Sequence, residues 1–137
     1  MSNIEFKDKF LCAICYLGSF IPLLAWFPLI WLVINNVRKV YVKEFVRYHC
    51  YQSILFNMII LFLPSLFRLL TDFLINLLDL MVIFANTIVL IKALQGFVLK
   101  IYFFAIPILS LYAVIWTFRG KYTYLPPISQ AVNSLLR

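Results

Sequence analysis

Long apolar runs alternate with short polar breaks along this chain, and the runs are of bilayer length. They cover about residues 10–34, 50–67, 73–91 and 101–118. A helix needs roughly 20 apolar residues to cross about 30 Å of hydrocarbon. The pattern therefore predicts an all-α, polytopic membrane protein with about four transmembrane helices in a single domain over residues 1–137. Pro22 and Pro28 interrupt the first run and predict a kink, or a crossing followed by a bent segment near Trp26 and Trp31. Pro107 predicts a kink in the fourth.

The breaks carry their own pattern. Residues 68–72 and 92–100 read as connections, the second with Gly96 at its middle. Residues 35–49 form the most polar internal stretch. Lys39, Lys43 and Arg47 recur every four residues there, and Val42, Phe45 and Val46 fall on another face. That spacing predicts a short basic amphipathic helix on the headgroup plane, leading into the second span. The tail, residues 119–137, holds Pro126 and Pro127. Ile128, Ala131, Val132, Leu135 and Leu136 follow at helical spacing, which predicts a short interfacial helix starting at Pro127.

Composition removes the soluble alternative. Hydrophobic residues make up 65% of the chain and charged residues 12%, with a mean hydropathy of +1.00. Soluble domains average about 45–50% apolar and about 25% charged, so lipid must supply the surrounding solvent. The net charge of +7 does not form a nucleic-acid patch. The basic residues flank the apolar runs, where membrane lipids are the expected partners. Four crossings would place Lys7, Lys9, Arg68, Arg119, Lys121 and Arg137 on one side. Arg38, Lys39, Lys43, Arg47, Lys92 and Lys100 would fall on the other. The positive-inside count is then a tie.

Chemistry-bearing residues are few. Cys12 and Cys15 form a C-x-x-C within an apolar run, with no second Cys/His pair to complete a metal site. There is no Gly-rich phosphate loop and no nucleophile elbow. Neither an enzyme nor a cofactor or metal is expected. The informative polar groups lie inside the spans. His49, Gln52, Ser53 and Asn57 fall within about 140° of one helical face. Asp72, Asn76, Asp79 and Asn86 fall within about 80°. A carboxylate such as Asp79 inside a span must be protonated, paired or hydrated. Two readings compete. The stripes hydrogen-bond across a bundle, or they line a hydrated path or a groove for a polar chain.

The segment Tyr41-Val42-Lys43-Glu44-Phe45-Val46-Arg47-Tyr48-His49-Cys50-Tyr51-Gln52-Ser53 resembles the second-span entrance of the Tic-twenty family. These are membrane subunits of the protein translocon at the inner chloroplast envelope, with cyanobacterial relatives. The tail Gly120-Lys121-Tyr122-Thr123-Tyr124-Leu125-Pro126-Pro127-Ile128-Ser129 is similar to that family's closing Gly, prolines and Ile. Tyr16-Leu17-Gly18-Ser19-Phe20-Ile21-Pro22-Leu23 resembles its first span. His49 stands where many members carry Asn. The resemblance implies a subunit of the inner-envelope import machinery, with four helices and both termini in the stroma. It implies other translocon subunits and preproteins in transit as partners. The N-terminus does not read as a transit peptide, so a plastid-encoded or cyanobacterial membrane protein is expected. The candidate interaction residues are Arg47, His49, Gln52, Ser53, Asn57, Asn76, Asp79 and Asn86. The alternatives are a small ion or solute transporter using Asp79, and a structural subunit that assembles a membrane complex.

Overall fold

The computed structural model describes residues 4–80, 85–126 and 128–136. Among these every regular element is helical. Five α-helices follow in order: α1 (Phe6–Tyr16), α2 (Phe27–Val37), α3 (Glu44–Asp79), α4 (Ala85–Phe118) and α5 (Ile128–Leu136). Two 3-10 turns, Leu17–Ser19 and Pro22–Trp26, join α1 to α2.

The first apolar run is not one straight crossing. Helix α1 runs parallel to the start of α3: Asp8 meets Lys43, Cys15 meets Cys50, and Tyr16 meets Gln52. Helix α2 then returns antiparallel to α3. Ala25 lies against Asn57 at the bend, and Asn36 faces Arg47 at the return. Pro22 cannot continue an α-helix from the preceding turn, and Pro28 suits the first turn of the next one. The pair thus produces a hairpin that enters and leaves at the same end. Its bend reaches the level of Asn57, about 20 Å along α3 at 1.5 Å per residue.

Residues 35–49 are not a single amphipathic helix. Helix α2 stops at Val37, residues 38–43 are non-helical, and α3 starts at Glu44. The stop is a Schellman cap: the Val40 amide donates to Asn35 O at 3.0 Å and the Lys39 amide to Asn36 O at 3.1 Å. Lys39 adopts the required left-handed conformation, φ 53°. Lys43, outside the helices, donates to Asp8 at 2.8 Å and Glu5 at 3.4 Å. Its bond to Asp8 holds the ammonium above its ordinary pKa.

Helices α3 and α4 are 36 and 34 residues long, about 54 and 51 Å. Both are long and apolar enough to cross a membrane. Only 11% and 17% of their most apolar stretches are buried within the chain, unlike the core helices of a soluble protein. The connections expected at 68–72 and 92–100 are helical. Gln95 on α4 donates to Thr71 and Asp72 on α3 at 2.6 and 3.1 Å, and Tyr102 donates to Ile59 O at 3.0 Å. These contacts make α3 and α4 an antiparallel hairpin. The expected third span is divided accordingly. Residues 73–79 close α3 and 85–91 open α4, on opposite arms of the hairpin; residues 81–84 lie outside the described set. Hydropathy sees one apolar run over 73–91 and cannot see that its two ends lie on antiparallel helices. An ion pair between Arg68 and Asp72 does not form among the described residues; Asp72 takes Gln95 instead.

Helix α4 ends at a second Schellman cap, with Gly120 at φ 69° and its amide on Thr117 O at 2.9 Å. The tail then folds back onto α3. Val132 and Ile128 of α5 pack with Tyr16, Tyr48, Phe56, Ala113 and Leu125 in one core cluster. Cys12, Cys15, Phe45, Val46 and Cys50 form the other. A tail helix forms as expected, over Ile128–Leu136, packing on protein as well as facing outward; Pro127 lies outside the described residues. All of this packing occupies one half of the molecule. Among the described residues the distal half of the α3–α4 hairpin has no third element on it.

Candidate functional site

The α3 stripe becomes a buried polar cluster. His49, Gln52 and Ser53 are 0% exposed and Asn57 is 2%. Gln52 is the hub. Its Nε2 donates to Thr123 O at 3.0 Å and to Ser129 Oγ at 2.9 Å, both in the tail. Its Oε1 accepts from the Tyr16 hydroxyl of α1 at 2.8 Å. Tyr48 donates to the same Thr123 carbonyl at 3.2 Å, and Ser129 Oγ accepts the Leu125 amide at 2.8 Å. One glutamine therefore ties α1, α3 and the tail together.

The histidine joins this arrangement. Tyr16 gives its phenol proton to Gln52, and His49 Nδ1 lies 3.0 Å from the same oxygen. The other edge of the ring faces the backbone of Lys121. Phe45 packs on the ring at 4.5 Å between centroids, and Tyr122 stacks parallel to it at 6.1 Å. Tyr122 lies in the tail, where partial burial raises its phenol above the ordinary pKa, aided by Glu44 and Tyr48.

The other members of the stripe hold local geometry. Asn57 Nδ2 donates to Cys15 O and Ala25 O, both at 3.3 Å, and so stitches the bend of the α1–α2 hairpin. Ser53 bonds only the Cys50 carbonyl of its own helix at 2.9 Å. Ser110 of α4 donates to Tyr16 O at 2.7 Å. Cys12 and Cys15 are buried against α3, with Cys15 Sγ 3.8 Å from Cys50 Sγ.

The remaining candidates are elsewhere. Arg47 is exposed on a different face of α3, its guanidinium 5.9 Å over the Tyr51 ring. Asn76, Asp79 and Asn86 are exposed at the distal tip of the hairpin. Asp79 is the last residue of α3, about 40 Å along the helix from Gln52. The two polar stripes therefore do not face each other and do not form one lined path. Of the two readings, the packed one describes the α3 stripe. Tyr16, Tyr48, Thr123 and Ser129 complete the cluster and were not singled out as interaction residues; a tyrosine in an apolar run and a threonine in a loop carry no periodic signal.

The hub makes a testable difference. Gln52→Leu removes three bonds and strands buried groups on three elements. At about 0.6–1.5 kcal/mol per bond the expected loss is about 2–4 kcal/mol. Ser53→Ala loses only an intrahelical bond and should change stability by about 0.5 kcal/mol or less. Thermal unfolding of the two variants in the same detergent measures the contrast.

No family model matches the chain, and no curated protein or solved structure matches it either.

Proposed function

We propose that this chain is a membrane subunit of a plastid inner-envelope protein import translocon, or of its cyanobacterial counterpart. One observation carries the reading. The three segments that resemble the Tic-twenty family, around Tyr16, at 41–53 and at 120–129, are distant in sequence yet meet in one cluster through Tyr16, His49, Gln52, Thr123 and Ser129. A shared sequence signature whose parts hold one another is what a common fold requires.

In this proposal α3 and α4 cross the bilayer, and the α1–α2 hairpin enters and leaves the same leaflet. The resemblance implies four crossings instead, which would divide the long helices near Arg68–Asp72 and Lys92–Lys100. The two arrangements distribute charge differently. With two crossings, Lys7, Lys9, Arg38, Lys39, Lys43, Arg47, Arg119 and Lys121 share one side, and Arg68, Lys92 and Lys100 lie toward the other. The tie is broken, and the positive-inside rule puts the polar cluster at the stromal face.

The buried stripe is occupied by the chain's own tail, so preproteins and partner subunits would meet the distal hairpin. Its Leu69, Phe73, Leu77 and Phe97 are each at least half exposed, beside the polar Thr71, Asp72 and Gln95. The same bare hairpin favours the second reading, a subunit that assembles a larger complex. A photocrosslinker at Phe73 or Phe97 separates them. Adducts to a preprotein arrested in the membrane support translocation, adducts to neighbouring subunits alone support assembly, and adducts to neither overturn both.

A further inference from the structure

A groove runs between α2 and α3 on the face of α3 opposite Gln52. Its upper part encloses about 610 Å³. Leu29, Leu32, Val33 and Asn36 of α2 form one wall at helical spacing, and Arg47, Tyr51 and Ile54 of α3 form the other. A smaller cavity of about 30 Å³ continues it, sharing Leu29 and Ile54 and adding Ala25, Trp26, Asn57, Met58, Leu61 and Phe62. The groove is therefore graded. Its polar end, at Arg47 and Asn36, opens beside the basic loop that carries Arg38 and Lys39. Its other end is apolar except for Asn57. From Arg47 to Leu61 it covers about 21 Å along α3, somewhat over half of a hydrocarbon core about 30 Å thick.

Arg47 lacks an acidic partner. Among the described residues every ion pair belongs to Lys43, which holds Glu5 and Asp8. Among the described residues the Arg47 guanidinium makes only its contact with the Tyr51 ring, and its planar fork of donors is left for an anion. Tyr41, 87% exposed, lines the same mouth at the level where aromatic residues meet headgroups.

We propose that this groove is a binding site for one anionic phospholipid. The phosphate lies on Arg47, with Arg38 and Lys39 supplying the surrounding positive potential. One acyl chain lies along Leu29, Val33, Ile54 and Leu61. Charge complementarity selects the occupant: an apolar helix or a second copy of this chain, itself strongly basic, would leave Arg47 unanswered, and a zwitterionic lipid would answer it only in part. The site is independent of the import reading.

Native mass spectrometry tests it. The full chain is extracted in mild detergent from bilayers of equal phosphatidylglycerol and phosphatidylcholine, and the lipid retained per protein is counted. The expected result is one retained lipid with phosphatidylglycerol preferred. In Arg47→Gln the preference should fall about five-fold, the weight of one basic residue at a membrane surface. Val33→Trp keeps Arg47 but fills the apolar wall, and it should reduce retention of both lipids. Arg68→Gln, on the distal hairpin, should leave the preference unchanged. Equal retention of the two lipids by the unmodified chain, a preference untouched by Arg47→Gln, or a retained second copy in place of lipid would each overturn the proposal.

Discussion

Cysteines placed at Tyr41 and Tyr124 should react with a membrane-impermeant thiol reagent from the same side of the bilayer, and a cysteine at Asp79 only from the other. Both tyrosines are well exposed, at 87% and 60%, and neither is bonded within the cluster. The native Cys12, Cys15 and Cys50 are buried and are replaced by Ser or Ala in the background used. The expectation follows from three contacts that no sidedness other than a shared one permits. Lys43 binds Asp8 near the N-terminus. Phe45 and Tyr48 pack on Tyr122 after the end of α4, at 5.6 and 4.9 Å between centroids. Gln52 binds Thr123 and Ser129. The loop 38–43 and the tail are therefore at one end of the molecule, and Asp79 is at the other. Four crossings would put Tyr41 and Tyr124 on opposite sides and Asp79 within a span, beyond the reagent's reach. Labelling is all-or-none in each case, so that opposite-side reactivity of Tyr41→Cys and Tyr124→Cys would sink the hairpin arrangement outright.

What the sequence disclosed, and what it withheld, divides along the same line. Helical class and the membrane setting follow from composition and run length, which depend only on local residue content. The α3 stripe was legible because His49, Gln52, Ser53 and Asn57 lie on one helical face, and all four are buried there. Chain direction was not legible. A run of 25 apolar residues reads alike whether it crosses the bilayer or turns at Pro22 and comes back. The choice is made by long-range pairs, Asp8 with Lys43 and Asn57 with Ala25, that no window contains. The distal candidates lie apart from the cluster for the opposite reason. Asn76, Asp79 and Asn86 share a face only if residues 73–91 are one helix, and the chain reverses between Asp79 and Ala85. Arg47, a candidate through the second-span resemblance, faces the groove, since its position on α3 points it away from Gln52.

The turn itself rests on one glycine. A methyl group added at Gly18 would lie 2.6 Å from Ala25 Cα, 2.8 Å from Ala25 N and 2.8 Å from Asn57 Nδ2. Two of those atoms are backbone and cannot rotate away. The bend between α1 and α2 would have to open, and the Asn57 bonds to Cys15 O and Ala25 O would stretch with it. Overpacking of this kind costs about 1–3 kcal/mol, and loss of the two bonds adds about 1 kcal/mol. Gly18→Ala should therefore destabilise the chain by about 2–4 kcal/mol. Gly96, which hydropathy alone would place in a connection, is inside α4 with nothing within 4 Å of an added methyl. Gly96→Ala should stabilise by up to about 1 kcal/mol, the difference in helix propensity. Unfolding of both variants in one detergent decides the matter. If the first run crossed the membrane as a straight helix, Gly18→Ala would behave like Gly96→Ala, and the two midpoints would move in the same direction.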